Sequence, residues 1–145
     1  MTETADQADT DYRLDDQVGY LLRLASQRHA TIFQSKTVNG LTPTQFSALI
    51  RISEQGTCSQ NHLGRLAAMD VATIKGVVDR LRQKGLTVTA PDPNDKRRTM
   101  ISLSPEGEEM VAQMKEVGRE ITAESLKPLT AAEQRSLIKI LRKLS

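Results

Sequence analysis

Apolar residues recur along most of this 145-residue chain at intervals of three and four, the spacing that gives a helix one buried face. The first run follows Asp15 or Asp16, either of which suits an N-cap. It places Val18, Leu22, Ala25, His29, Ile32 and Lys36 on one face, flanked by Leu21 and Phe33. A helix to about Thr37 is predicted, roughly 36 Å long, closed by Asn39-Gly40. Thr42-Pro43-Thr44-Gln45 reads as a capping box opening a second helix with Phe46, Leu49, Ile50 and Ile52 inside and Gly56 as its stop. Thr57-Cys58-Ser59-Gln60 reads as the start of a short third helix carrying Leu63, Leu66 and Ala67. After Ala68-Met69-Asp70, a fourth helix capped by Asp70 runs to Gly85.

The period then changes. Residues 86–90 and 98–103 alternate like strands, around a Pro/Asp/Asn turn with a basic exit, PDPNDKR. Ser104-Pro105-Glu106 starts another helix, with Met110, Val111, Met114, Val117 and Ile121 as its stripe. Thr130-Ala131-Ala132-Glu133 caps the last, which carries Leu137, Ile138, Leu141 and Leu144. The order predicts a mainly α fold with a small β-hairpin wing. Residues 42–103 form a winged helix-turn-helix, residues 15–41 and 104–145 supply dimerisation helices, and residues 1–14 are a disordered acidic N-terminus.

Composition narrows the classes. The length suits one compact domain with appended helices. One Cys excludes an internal disulfide framework and fits a reducing, cytoplasmic setting. No apolar run approaches the ~18 residues of a membrane span, and the acidic start is unlike a signal peptide. Charge is unevenly spread: residues 1–16 hold six acids against one base, whereas residues 60–100 hold eight bases against four acids. A basic middle in a nearly neutral chain is either a solvated face or a surface for a polyanion.

The fourth helix helps to decide between them. At 100° per residue, Ile74, Val77, Val78 and Leu81 turn inward. Ala72, Gly76, Asp79 and Gln83 turn outward, with Thr73, Lys75 and Arg80 on the shoulders. A glycine inside a helix costs about 1 kcal/mol relative to alanine. On the outer face, Gly76 fills no core need, but a small surface lets backbone approach base edges while Lys75 and Arg80 reach phosphates. At the hairpin tip, Asp95-Lys96-Arg97-Arg98 sets three cations behind an acid that can hold the Arg97 guanidinium in a bidentate pair. Such an arginine suits the negative potential of a narrow minor groove.

DPNDKRRTMISLSPEG, LTPTQFSAL and SQNHLGRLAAMDVATIKGVVDRLRQKGL, together with the long first helix, resemble the multiple antibiotic resistance regulator (MarR) family over about residues 15–145. The resemblance implies a homodimer binding double-stranded DNA at a pseudo-palindromic operator. By position it assigns Asp95 and Arg97 to the wing pair, Lys96 and Arg98 to added phosphate contacts, and Thr73, Lys75, Gly76 and Arg80 to the recognition helix, beside Ala72 on the same outward face. Ser59, Gln60 and Asn61 match the start of the supporting helix. Gly76 departs from the basic residue expected there, which shifts base readout towards Thr73 and Lys75. The resemblance further implies a small aromatic anion as effector, with a branch tied to aromatic-acid catabolism such as nicotinate degradation. Arg28, His29, Phe33 and Phe46 are candidate contacts for its ring and carboxylate, although His29 better suits a satisfied core position.

Other chemistry is sparse. Cys58 lies at the entry to the third helix, away from the first helix's start where oxidant-sensing relatives place their thiol; an oxidation sensor through Cys58 is the lesser alternative. His29, His62 and Cys58 lack metal-ligand spacing, and neither a phosphate loop nor a nucleophile–base arrangement is present. No metal, cofactor or catalytic residue is expected, and a winged protein-interaction module is the alternative from a different class.

Overall fold

The computed structural model of the chain describes residues 11–145; the expectation for residues 1–10 lies outside them. A single 3-10 turn, Leu14–Asp16, precedes α1 (Val18–Lys36), and α2 spans Pro43–Gln55. A short strand β1 (Thr57–Ser59) leads into α3 (Gln60–Leu66) and α4 (Val71–Gln83). The hairpin β2 (Thr87–Asp92) and β3 (Asp95–Leu103) follows, then α5 (Pro105–Leu126) and α6 (Ala131–Leu144). The result is a winged helix-turn-helix body with long helices before and after it, as the spacing predicted.

Two boundaries differ from the sequence reading. Neither Asp15 nor Asp16 caps α1, because both lie in the 3-10 turn and Gln17 is extended (φ −87°, ψ 134°) and stands at the N-cap. Gln17 has no side-chain cap bond; its Nε2 donates back to the Arg13 carbonyl at 2.9 Å, which favours the break. The second difference is β1. Thr57-Cys58-Ser59 does not open α3 but pairs antiparallel with β3, Cys58 opposite Ile101, so the sheet has three strands in the order β1-β3-β2. Cys58 is therefore a buried strand residue, and burial raises its thiol pKa.

Caps fix the remaining starts. The Thr42 hydroxyl accepts from Gln45 N–H while the Gln45 amide oxygen accepts from Thr42 N–H, the reciprocal box read from sequence. Thr130 and Glu133 repeat it on α6. The stop at Gly85 is a Schellman turn: Gly85 has φ +75°, its N–H donates to Arg82 and Leu86 N–H donates to Leu81.

The core is one cluster. Leu49 and Ile52 of α2, Leu63 of α3, Ile74, Val77, Val78 and Leu81 of α4, Ile101 of β3, and Val111 and Met114 of α5 are all buried. α5 locks onto this body through Ser104. Its N–H donates to the Leu86 carbonyl at 3.0 Å and its hydroxyl donates to the Gly85 carbonyl at 2.6 Å. The same hydroxyl oxygen accepts from Gly107 N–H at 3.0 Å. Gly107 must be glycine here, since a Cβ would lie 2.0 Å from the Leu86 carbonyl oxygen, on backbone that cannot step aside.

Gly107→Ala should therefore lower stability by about 3 kcal/mol, the upper range of overpacking costs. Gly76→Ala, whose Cβ would meet nothing within 4 Å, should raise it by about 0.5–1 kcal/mol. Urea midpoints of both variants at one protein concentration provide the check, and equal midpoints would contradict this account of the joint.

Candidate nucleic-acid interface

Asp70 sets α4's start. Its carboxylate accepts from Thr73 N–H at 2.7 Å, and hydrogen bonds from the Thr73 backbone, then the Thr73 side chain, hold its pKa below the ordinary carboxylate value. Ile74, Val77, Val78 and Leu81 are buried, whereas Ala72, Thr73, Lys75, Gly76, Arg80 and Gln83 are exposed, which is the inward and outward division read from the periodicity. α3 supports this helix from behind. Gly64 is buried under Ile74, where a Cβ would sit 3.2 Å from Ile74 Cγ2. The turn between the two helices passes through Ala68 at φ +56°.

The three expected α3-start residues separate. Ser59 is buried and its hydroxyl is the N-cap, accepting from His62 N–H at 3.2 Å, so it is committed within the fold. Gln60 is half-buried and Asn61 exposed. On the other flank of α4 the fold adds residues that no sequence pattern singled out as DNA contacts. A shallow groove of about 340 Å³ is lined by the Thr42, Thr44 and Gln45 end of α2 and by Ala72, Thr73, Gly76 and Arg80. Thr42 and Thr44 hydroxyls lie 3.2 Å apart there, at the positive end of a 13-residue helix. Their only sequence signal was the capping box.

The wing is a two-residue turn. Asp92 faces Asp95 across Pro93-Asn94, with an irregularity after Pro91, and buried Asp92 accepts from Asn94 N–H at 2.9 Å. One Asp95 carboxylate oxygen accepts from both the backbone N–H (3.1 Å) and Nε (3.2 Å) of Arg97. This is not the two-nitrogen fork expected from sequence. The arginine is held at its root, and its side chain is 91% exposed. The Arg97 side-chain bond, then its backbone bond, lower the Asp95 pKa. The pair is therefore present above the usual carboxylate value near 3.8 and is lost only as pH falls through the depressed one. Arg98 lies 3.7 Å from Asp92, and Lys96 is exposed.

The candidate effector residues meet at the contact of α1, α2 and α5, but not as the lining of one cavity. Phe33 is buried and packs on Phe46, ring centroids 6.1 Å apart. Arg28 donates to the carbonyls of Ser125 (2.8 Å) and Glu124 (3.1 Å), and His29 Nδ1 lies 2.8 Å from the Ser125 hydroxyl. Arg28 and His29 thus tie α1 to the end of α5. On the far side of Phe46, a groove of about 630 Å³ opens between α2, the end of α3 and α5. Phe46, Ile50 and Leu66 line it with Arg51, Lys115 and Arg119.

No helix among the described residues is long and apolar enough to cross a membrane, and no group of three or more His, Cys, Asp or Glu among them could hold a metal ion.

The MarR family model matches residues 41–99, from the cap of α2 to the wing. The chain is 38% identical over 136 residues to the transcriptional repressor NicR of Pseudomonas putida, covering 93% of this chain and 86% of that one. A probable transcriptional regulator from Pseudomonas aeruginosa superposes with a TM-score of 0.89 at 50% identity, over 92% of this chain and all of that one. Bordetella bronchiseptica BpsR, whose DNA binding is regulated by 6-hydroxynicotinic acid, gives 0.87 at 36% identity over 92% and 96% of the two chains. With these likenesses running from α1 through the winged body to α6, the chain belongs to the MarR family of winged helix-turn-helix regulators.

Proposed function

We propose that the chain is a homodimeric, sequence-specific DNA-binding regulator of transcription, a repressor released by a small aromatic carboxylate. The observation that carries the reading is the pairing of two exposed shapes, one on α4 and one on the wing that follows it. α4 presents a low, open surface at Ala72 and Gly76, and the wing presents Arg97 anchored at its root by Asp95. The first suits a major groove and the second the flanking minor groove. Thr73, Lys75 and Arg80 stand where they would meet base edges and phosphates, with Lys96, Arg98, Gln60 and Asn61 at the rim.

The dimer is inferred from surface left over. Val18, Leu21, Leu22 and Leu24 of α1 and Ile138, Ile140, Leu141 and Leu144 of α6 are exposed, and α6 buries none of its residues within the chain. Each such side chain contributes roughly 1.5–3 kcal/mol when fully covered. A second copy related by a two-fold axis covers like with like and sets two α4 helices about 34 Å apart, one turn of DNA.

For the effector, support comes from the groove beyond Phe46. A flat ring fits against Phe46, Ile50 and Leu66, and a carboxylate fits the cations opposite. Lys115 has no ion pair among the described residues, while Arg51 pairs with Glu54 and Arg119 with Glu116. Because α5 and α2 form opposite walls, a ligand that prefers one α4 spacing shifts the population towards it.

The direct test is fluorescence anisotropy on the DNA upstream of the protein's own gene, at about 0.15 M salt with unrelated competitor duplex. Tight, competitor-resistant binding at two protomers per site is expected, falling steeply with salt. Arg97→Ala should weaken it at least tenfold, the loss of one well-placed charged contact. Binding abolished by competitor would instead favour a winged protein-interaction module. For the effector, aromatic carboxylates including 6-hydroxynicotinic acid should release the DNA. Lys115→Ala should raise the concentration for half-release about tenfold, the worth of one charge-assisted hydrogen bond, without altering affinity in its absence. No change would remove the effector from this groove.

A further inference from the structure

The DNA-facing helix carries an acid at its centre, and the proposal above has no use for it. Asp79 lies between exposed Gly76 and Gln83 on the outward face of α4, with its side chain 33% exposed. It serves no cap and no core contact. Its carboxylate instead spans two cations of its own helix: Oδ2 lies 3.1 Å from Lys75 Nζ, and Oδ1 lies 3.2 Å from Arg82 Nη2. Arg80, on the opposite shoulder beside the Thr42–Thr44 groove, has no ion pair among the described residues. The helix therefore has one shoulder where two cations share a single carboxylate and one where Arg80 stands unpaired among the described residues.

Exposed pairs of this kind contribute little to stability. Their consequence lies in competition. A lysine or arginine already facing a carboxylate gives up that partner when it moves to a phosphate, and the carboxylate left behind repels the same phosphates. Sequence-independent affinity comes almost wholly from phosphate contacts, so Asp79 penalises binding in any register that offers only backbone. A cognate register can offset the penalty, because each carboxylate oxygen keeps a lone pair able to accept from a cytosine or adenine amino group.

We propose that Asp79 is a specificity-determining residue of the recognition helix: by pairing with Lys75 and Arg82 it withholds both from indiscriminate phosphate contact. The proposal rests on the DNA-binding reading, and its test separates the two.

The test compares wild type with Asp79→Asn, which keeps size and helix. Affinity is measured for the upstream operator and for an unrelated duplex of equal length, across about 0.05–0.3 M salt. Circular dichroism and thermal midpoint serve as controls of folding. The expected result is that the unrelated duplex binds about three- to tenfold tighter and the operator gains less, so the ratio of the two affinities falls. The salt slope for the unrelated duplex should steepen by about one to two, one for each cation released. In Asp79→Asn/Arg82→Gln, part of the gain should disappear, which a merely structural role for Asp79 would not produce. A ratio and slope both unchanged, or an operator affinity that falls while the unrelated duplex stays the same, would overturn the proposal. Wild type that binds no duplex at all would overturn the DNA-binding reading itself. If Asp79→Asn melts early, Arg82→Gln in the wild-type background decides. The proposal expects it to change unrelated-duplex affinity by less than about twofold, since that cation is already occupied, and a larger loss contradicts it.

Discussion

Everything that could make this molecule a regulator passes through one serine. Ser104 donates its N–H to the Leu86 carbonyl and its hydroxyl proton to the Gly85 carbonyl, and its hydroxyl oxygen accepts the N–H of Gly107 in the first turn of α5. Gly85 and Leu86 end the recognition helix, Leu103 ends the wing, and Pro105 begins α5, so the three bonds join recognition helix, sheet and α5 at a point. The approach is close enough to exclude any side chain at residue 107. A hinge is a poor description of such a contact. Movement of α5 has to carry α4 with it, which is the property needed if events among the terminal helices are to change how the α4 surface meets DNA.

The second constraint is apolar surface. Within one chain the winged body closes its own core, but the first turns of α1 leave a valine and leucines facing outward, and α6 leaves leucines and isoleucines. In the proposed assembly the dimer interface and the spacing of the two DNA-reading helices are the same structural fact. α1 returns to the body through Arg28 and His29 at the end of α5 and through Phe33 on Phe46. Phe46 is shared between that contact and the groove proposed for the effector, with Gly118 of α5 admitting its ring so closely that a Cβ would lie 3.2 Å from Cζ.

Much of this was legible because the signals are local. The boxes at Thr42/Gln45 and Thr130/Glu133, the cap at Asp70, the stop at Gly85 and the inward stripe of α4 each depend on residues within one turn. What escaped reading depends on partners distant in sequence. β1 is three residues long and is a strand only because β3, some forty residues on, lies beside it. With Ser59 at the true helix cap, the same letters read equally well as a helix start. Ser59 looked available to DNA for the same reason, and its burial within the sheet, opposite Met100 of β3, could not be seen. The groove between Thr44 and Arg80 requires the crossing of α2 and α4. Asp92 and Asp79 were visible as letters, but whether an acid is free or paired depends on rotamers that spacing does not determine.

In the proposed dimer two α4 helices are held one DNA turn apart. Hydroxyl-radical footprinting of the protein on its operator measures that arrangement directly. Two protected patches related by a dyad, about one helical turn apart, with protection of the flanking minor grooves where Arg97 would lie, are the predicted pattern. A single patch from one half-site, or uniform weak protection along the duplex, would contradict it.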